Sequence, residues 1–196
     1  NRSQQAIPLG QHYEVFRDPT GSATITSILS GKYDDQFLPS DSKYLFFGYT
    51  NDTIWLKLEL QKVASESNSA YWIENIDKLS QIEAYLVNKD SSYTVEKRGV
   101  HYLANQPIPY RSFLIHITDP STHLVYFKLS GNLPITFMSY LHTDQGFIQN
   151  SMQYKFWSGI FYGFMASLMF YNLFLFFSIK ERMYLYYVFY IVSFLF

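Results

Sequence analysis

The chain has 196 residues, 48% hydrophobic and 20% aromatic, with 15 Lys and Arg against 16 Asp and Glu and a formal net charge of −1. Scattered basic residues in a weakly acidic chain exclude a nucleic-acid binder, whose footprint is a clustered positive patch. With no cysteine, any exported part must fold without disulfides.

These figures average two unlike segments. Residues 1–153 hold twelve of the cations and fifteen of the acids, whereas 154–196 hold only Lys155, Lys180, Glu181 and Arg182. The first segment is large enough to bury one sizeable core.

In chain order, the opening stretch NRSQQAIPLG lacks the charged region and apolar run of a signal peptide, so the chain is expected to begin after a cleavage point. Residues 1–40 offer no clear period. From Thr53 the period is two: TIWLKLELQ, Thr53 to Gln61, sets Leu56, Leu58 and Leu60 on one face against Trp55, Lys57 and Glu59 on the other, the pattern of a strand with one buried face. Further strands are expected at 70–76, 81–87 and 93–97, in SFLIHI with Phe113, Ile115 and Ile117 inward, in HLVYFKL with Val125, Phe127 and Leu129 inward, and at 135–142. Asn51-Asp52, Ser65–Ser69, Asn88–Ser92, Asp119-Pro120 and Gly131-Asn132 punctuate them as turns. Eight or so short strands at this spacing predict a mainly β domain over 1–150, an antiparallel jelly-roll β-sandwich. Thr143–Gln153 is the polar connector that follows, either a loop or already helical.

From Phe156 to Ile179 there are 24 residues without a formal charge. At about 1.5 Å per residue they form a helix of roughly 36 Å, enough to cross a hydrocarbon core of about 30 Å. A loop at 180–182 and a second apolar run from Met183 to Phe196 follow, so residues 154–196 read as the start of a membrane helical bundle in a longer polytopic protein. Two cations in a short loop place that loop inside the cell and the first 150 residues outside it.

FGYTNDTIWLKLEL (Phe47 to Leu60), IDKLSQIEAYLV, QPIPYRSFLIHI and then GIFYGFMASLMFYNLFLFFSIKERMYLYYVFYIVSFLF together resemble the bacterial seven-transmembrane receptors with diverse intracellular signalling modules. The resemblance spans about residues 10–196. It implies an exported, carbohydrate-binding-module-like jelly roll of the second extracellular type ahead of seven helices, in the bacterial inner membrane with the N-terminal domain periplasmic. It also implies a cytoplasmic output of kinase or diguanylate cyclase type that lies outside this sequence.

The sandwich is therefore expected to sense an extracytoplasmic ligand, a carbohydrate or a small carboxylated molecule. Trp55 beside Lys57 on a polar strand face is the first candidate platform, since sugar rings stack on aromatic faces; the second sheet, a loop or the N-terminal forty residues could equally cover it. Tyr49, Tyr71 and Trp72 are further aromatic candidates. Arg111 could grip a carboxylate or a hydroxyl through its fork of donors, or pack its stem over an aromatic and pair with an acid.

No catalytic role is expected. Asp34, Asp35, Asp41, Asp52, Glu59, Glu74 and Glu83 show no spacing that demands a carboxylate pair, and neither a Gly-x-Ser-x-Gly elbow nor a phosphate loop occurs. No cofactor or metal is expected: His116 and His123, flanking Asp119-Pro120, are a weak metal hint, and Asp34, Asp35 and Asp41 lack the spacing of a calcium loop. In the membrane run Gly159, Gly163 and Ser167 form a stripe of small residues, and Asn172 should hydrogen-bond a neighbouring helix. That stripe fits packing inside the bundle and also a homodimer. The competing class is an exported protein-interaction domain on a membrane anchor, without a small ligand. A transporter ranks last, because the first helix carries no ionisable group.

Overall fold

The structure, a computed structural model, describes residues 6–60, 70–77, 79–100, 102, 110 and 112–195. They fall into two units, Asn1–Phe147 and Ile148–Phe196.

Among the described residues the first unit holds twelve strands: β1 Ile7–Pro8, β2 Tyr13–Asp18, β3 Leu38–Pro39, β4 Leu45–Gly48, β5 Thr53–Glu59, β6 Tyr71–Asn75, β7 Gln81–Asn88, β8 Tyr93–Arg98, β9 Phe113–Ile117, β10 Thr122–Ser130, β11 Ile135–Phe137 and β12 Ser139–Thr143. One helical turn, α1 Ile25–Leu29, interrupts them. The strands form a four-stranded sheet in the order β1-β12-β6-β9, a six-stranded sheet in the order β3-β2-β5-β10-β7-β8, and a two-stranded ribbon, β11-β4. Every pairing is antiparallel.

Alternation explains the core. Leu56 and Leu58 of β5 and Val125, Phe127 and Leu129 of β10 meet Ile73 of β6 and Phe113, Ile115 and Ile117 of β9 in one buried cluster between the sheets. Burying each such side chain stabilises the fold by about 1.5–3 kcal/mol. The molecule is thus the expected antiparallel β-sandwich followed by a long apolar helix. Leu60 packs on this cluster only partly buried.

The sandwich departs from expectation at one of its strands. The stretch 135–142 is two strands rather than one. It switches at Met138, whose amide donates to Asp77 Oδ2 at 2.7 Å and whose carbonyl accepts from Ile76 at 3.1 Å, carrying the chain from the ribbon into the four-stranded sheet. Residues 6–40 are an integral part of the sandwich and supply one of the covers the sequence left open for Trp55. β2 lies between β3 and β5, and α1 covers the outer face of the six-stranded sheet, with Ile25 and Ile28 buried against Phe16, Trp55 and Tyr126. Residues three apart share one face of a helix, and Thr24 caps that turn by accepting from the Ser27 amide.

Asp18 organises the approach to α1. Its Oδ1 accepts from the Thr20 amide at 3.0 Å and the Thr20 hydroxyl at 2.6 Å, and its Oδ2 accepts from Ala23 at 2.7 Å. Burial opposes the charge, but these bonds outweigh it and hold the carboxyl below its usual range.

The second unit contains most of α2, Asp144–Ile179, and α3, Arg182–Leu195. Among the described residues α2 is the helix long and apolar enough to cross a membrane. It starts twelve residues before the expected span, so the polar connector is already helical. It ends at Lys180, which has φ 60° and donates its amide to the Phe176 carbonyl at 2.8 Å, a left-handed stop uncommon for a residue with a side chain. The loop is shorter than expected because Arg182 already belongs to α3.

Candidate functional site

Trp55 lies on the face opposite the main core, as the alternation predicts, but that face is closed. The indole is fully buried, stacked on Tyr85 at 5.7 Å between ring centres, with the Lys128 ammonium 5.6 Å from its ring and α1 over it. An open platform at Trp55 is thereby corrected. Lys57 is committed too. It sits opposite Glu14 in the strand register and donates to Glu14 Oε2 at 2.8 Å, a bond that raises the ammonium's pKa despite partial burial.

Trp72 is likewise buried rather than presented to a ligand. Arg111 lies outside the described residues, and Tyr71 is half-buried on β6. Tyr49 alone among the aromatic candidates is open, 82% exposed. It borders a hollow of about 290 Å³ with Thr50, Asn51, Gly131, Asn132 and Leu133. Two glycines shape this end of the sandwich. Gly48 has φ +69°, and a Cβ on Gly131, at φ +146°, would fall on the Ser80 side chain. His116 and His123 do not meet, because Asp119-Pro120 carries the chain from β9 in one sheet to β10 in the other.

A second, larger hollow of about 440 Å³ opens at the edge of the six-stranded sheet, and sequence reasoning did not find it. β3 pairs with only two residues of β2, Glu14 opposite Pro39 and Val15 opposite Leu38, and runs on toward Tyr13, so it covers only the first half of β2. On the other side of Val15, where β3 has not yet begun, the edge of β2 is open toward β4, and the space is lined by Arg17, Gln36, Leu38, Ser40, Phe46 and Phe47 among others. In β4, Leu45 is buried in the core and Phe47 packs on it, so alternation turns Phe46 outward, 74% exposed. Leu38 is 66% exposed. The Arg17 guanidinium stands 5.3 Å from the Phe47 ring centre and makes no ion pair among the described residues. Arg98 is its contrast. That buried arginine gives Nε to the Leu114 carbonyl, one terminal nitrogen to the Lys97 carbonyl and the other to Glu96 Oε2, at 2.8, 3.0 and 2.7 Å. Its fork is spent on holding β8 to β9.

The first turn of α2 belongs to the sandwich unit and is anchored on the outer face of the four-stranded sheet. Register sets Trp72 opposite both His116 and His142. The indole stacks on His116 at 3.9 Å and 8°, and on Phe147 at 4.8 Å and 19°. Its Nε1 donates to Asp144 Oδ1 at 2.6 Å, and His116 Nε2 lies 3.4 Å from the same oxygen. Beneath the ring, His142 Nε2 lies 3.0 Å from Glu74 Oε2, both side chains almost wholly buried. Thr143 caps the turn by accepting from the Gly146 amide at 3.1 Å.

In the membrane run, a Cβ added at Gly159 or Gly163 would meet nothing within 4 Å, so this side of α2 is open among the described residues. Asn172 has a partner on its own helix. Its side-chain N–H donates at 2.9 Å to the Leu168 carbonyl of its own helix, because a carbonyl one turn back is always within reach of a short polar side chain.

Comparison with known proteins matches both parts. Residues 10–143 fit the family described as 7TMR-DISM extracellular 2, and residues 154–196 fit that described as 7TM diverse intracellular signalling. No curated protein matches.

Proposed function

This chain belongs to the 7TMR-DISM receptors, with an extracellular sensor region and a membrane-spanning region, and from that premise we propose that its sandwich binds an extracytoplasmic ligand and passes the binding event to a cytoplasmic output domain of kinase or diguanylate cyclase type. Both matched regions are receptor and membrane families rather than catalytic ones. Lys180 in the turn and Arg182 at the start of α3 favour a cytoplasmic position for that turn and a place in the bacterial inner membrane.

The observation that carries this reading is the anchoring of α2. A passive tether needs no more than a flexible linker. Here the helix that continues into the apolar run begins on a stacked Trp72–Phe147 pair and a Trp72–Asp144 hydrogen bond. A ligand can shift such a helix only if it binds two states of the receptor with different affinity, and a fixed first turn is what lets the sandwich impose its state.

The test replaces Asp144 by Ala in the full receptor and measures output in cells with ligand binding measured alongside. Binding should persist while the output stops following it. An unchanged response would sink the coupling. The exposed Phe46, Leu38 and Tyr49 also support a second reading, a protein-interaction domain without a small ligand; recovery of a stoichiometric protein partner, with silence in ligand screens, would favour that one.

A further inference from the structure

We propose that the sheet-edge cleft between β2, β3 and β4 is a binding site for acidic carbohydrate, with Arg17 gripping a sugar carboxylate and Phe46 stacking on a ring face. The proposal rests on the sensor reading and deepens it.

Three features converge on this chemistry. Arg17 is a guanidinium in a hollow of about 440 Å³ without an ion-pair partner among the described residues. Its neighbour is the Phe47 ring rather than an acid. A free planar fork of donors matches a carboxylate through two parallel hydrogen bonds. The volume lies within the range of ligand pockets, about 300–1,000 Å³.

Phe46 is the second feature. At 74% exposure it keeps a large apolar ring in water, on the open face of a ribbon whose other face closes the core. Exposed aromatics beside polar groups mark recognition surfaces. Third, Gln36, Ser40 and Ser42 also line the cleft and supply neutral donors and acceptors. A ligand matching all three presents a carboxylate, a flat C–H face and hydroxyls on one small body, which describes a uronic acid.

An extended peptide fits less well. A peptide strand would have to pair along the edge of β2, but Leu38 and Pro39 occupy Glu14 and Val15 there, and the Ser40 amide already donates to the Tyr13 carbonyl at 2.9 Å. Too few residues of β2 remain free to hold a strand.

The experiment titrates the 196-residue chain in lipid nanodiscs with trigalacturonate and with its neutral methyl ester, by calorimetry. The acid should bind at least tenfold more tightly than the ester. Arg17→Ala should erase that preference, Arg17→Lys should restore part of it, and Phe46→Ala should weaken acid and ester alike. Thermal unfolding checks that each variant is folded, which their exposed positions favour. The assignment is overturned if trigalacturonate does not bind saturably, if acid and ester bind equally, or if both Arg17→Ala and Phe46→Ala bind as wild type does. Binding of an acidic peptide in place of the sugar would overturn it in favour of a protein ligand. None of these outcomes touches the receptor reading, which stands or falls separately on the Asp144→Ala uncoupling.

Discussion

Phe147→Ala probes the anchor of α2 most directly. Phe147 is 5% exposed and is held by three rings: Trp72 stacked at 4.8 Å, Tyr110 at 5.3 Å and His142 edge-on at 6.0 Å. Removing a buried phenyl from a core costs about 3–5 kcal/mol. The buried cluster here is small, Trp72, Leu114 and Phe147, and the Asp144 bond to Trp72 survives, so the lower end, about 3 kcal/mol, applies; stacking accounts for about 0.5–1.5 kcal/mol of it. At about 1.4 kcal/mol per decade, that moves the equilibrium between docked and undocked first turn by about a hundredfold. Hydrogen exchange reads it: the amides of Gly146 and Phe147 should lose about two decades of protection, while those of Leu56 and Phe127 in the separate main core stay close to wild type. Phe156→Ala, at a position 64% exposed, is the control and should leave all four unchanged. If the Gly146 amide in Phe147→Ala keeps protection within threefold of wild type, the ring stack is not what holds the turn.

Trp55→Ala should act on stability rather than on ligand selectivity. The indole is fully buried beneath α1, so a cost of about 3–5 kcal/mol and a melting point lower by roughly 10 °C are expected by circular dichroism; a change under about 1 kcal/mol would mean that α1 does not seal that face. Asp18→Asn should remove part of the acid sensitivity of the fold. The folded carboxyl titrates below its unfolded value of about 3.9, so its contribution is present in full above that value and is lost as pH falls through the lower folded one. Urea midpoints at pH 7 and pH 3 should therefore differ more in wild type than in Asp18→Asn, and parallel shifts would refute a native role for the ionised carboxyl.

The alternation in β5 was legible because it is local: two adjacent residues on a strand face opposite ways wherever the strand sits. It told correctly that Leu56 and Leu58 point one way and Trp55 and Lys57 the other. It could not tell what covers the second face. That cover comes from Phe16, Ile25, Ile28 and Phe37, in a stretch where one turn of helix is too short to print a period; the nearest available signal was the Ile25–Ile28 spacing after Thr24. Trp72 failed for a related reason. Its strand was placed correctly, but its neighbours Asp144 and Phe147 lie more than seventy residues on, and a helical connector says nothing by itself of which strand its first turn docks on.

The cleft was the least legible part, and its construction says why. Local sequence does not say which of Arg17 and Arg98 stays free, since each has an acid within two residues, Asp18 beside Arg17 and Glu96 two before Arg98. What separates them is where their strands end up. β8 is bonded to β7 and lies beside β9, so Arg98 finds the Leu114 carbonyl and Glu96 within reach and is consumed. β2 is left half-covered because β3 begins only at Leu38, opposite Val15, so among the described residues Arg17 meets only a ring. A free guanidinium is thus a product of sheet topology, set by a neighbouring strand that starts too late to reach it, and a pattern read along one strand at a time does not contain it. The membrane run shows the converse. Its 24 uncharged residues needed no partner to be recognised as a span, because a helix in lipid satisfies its own backbone.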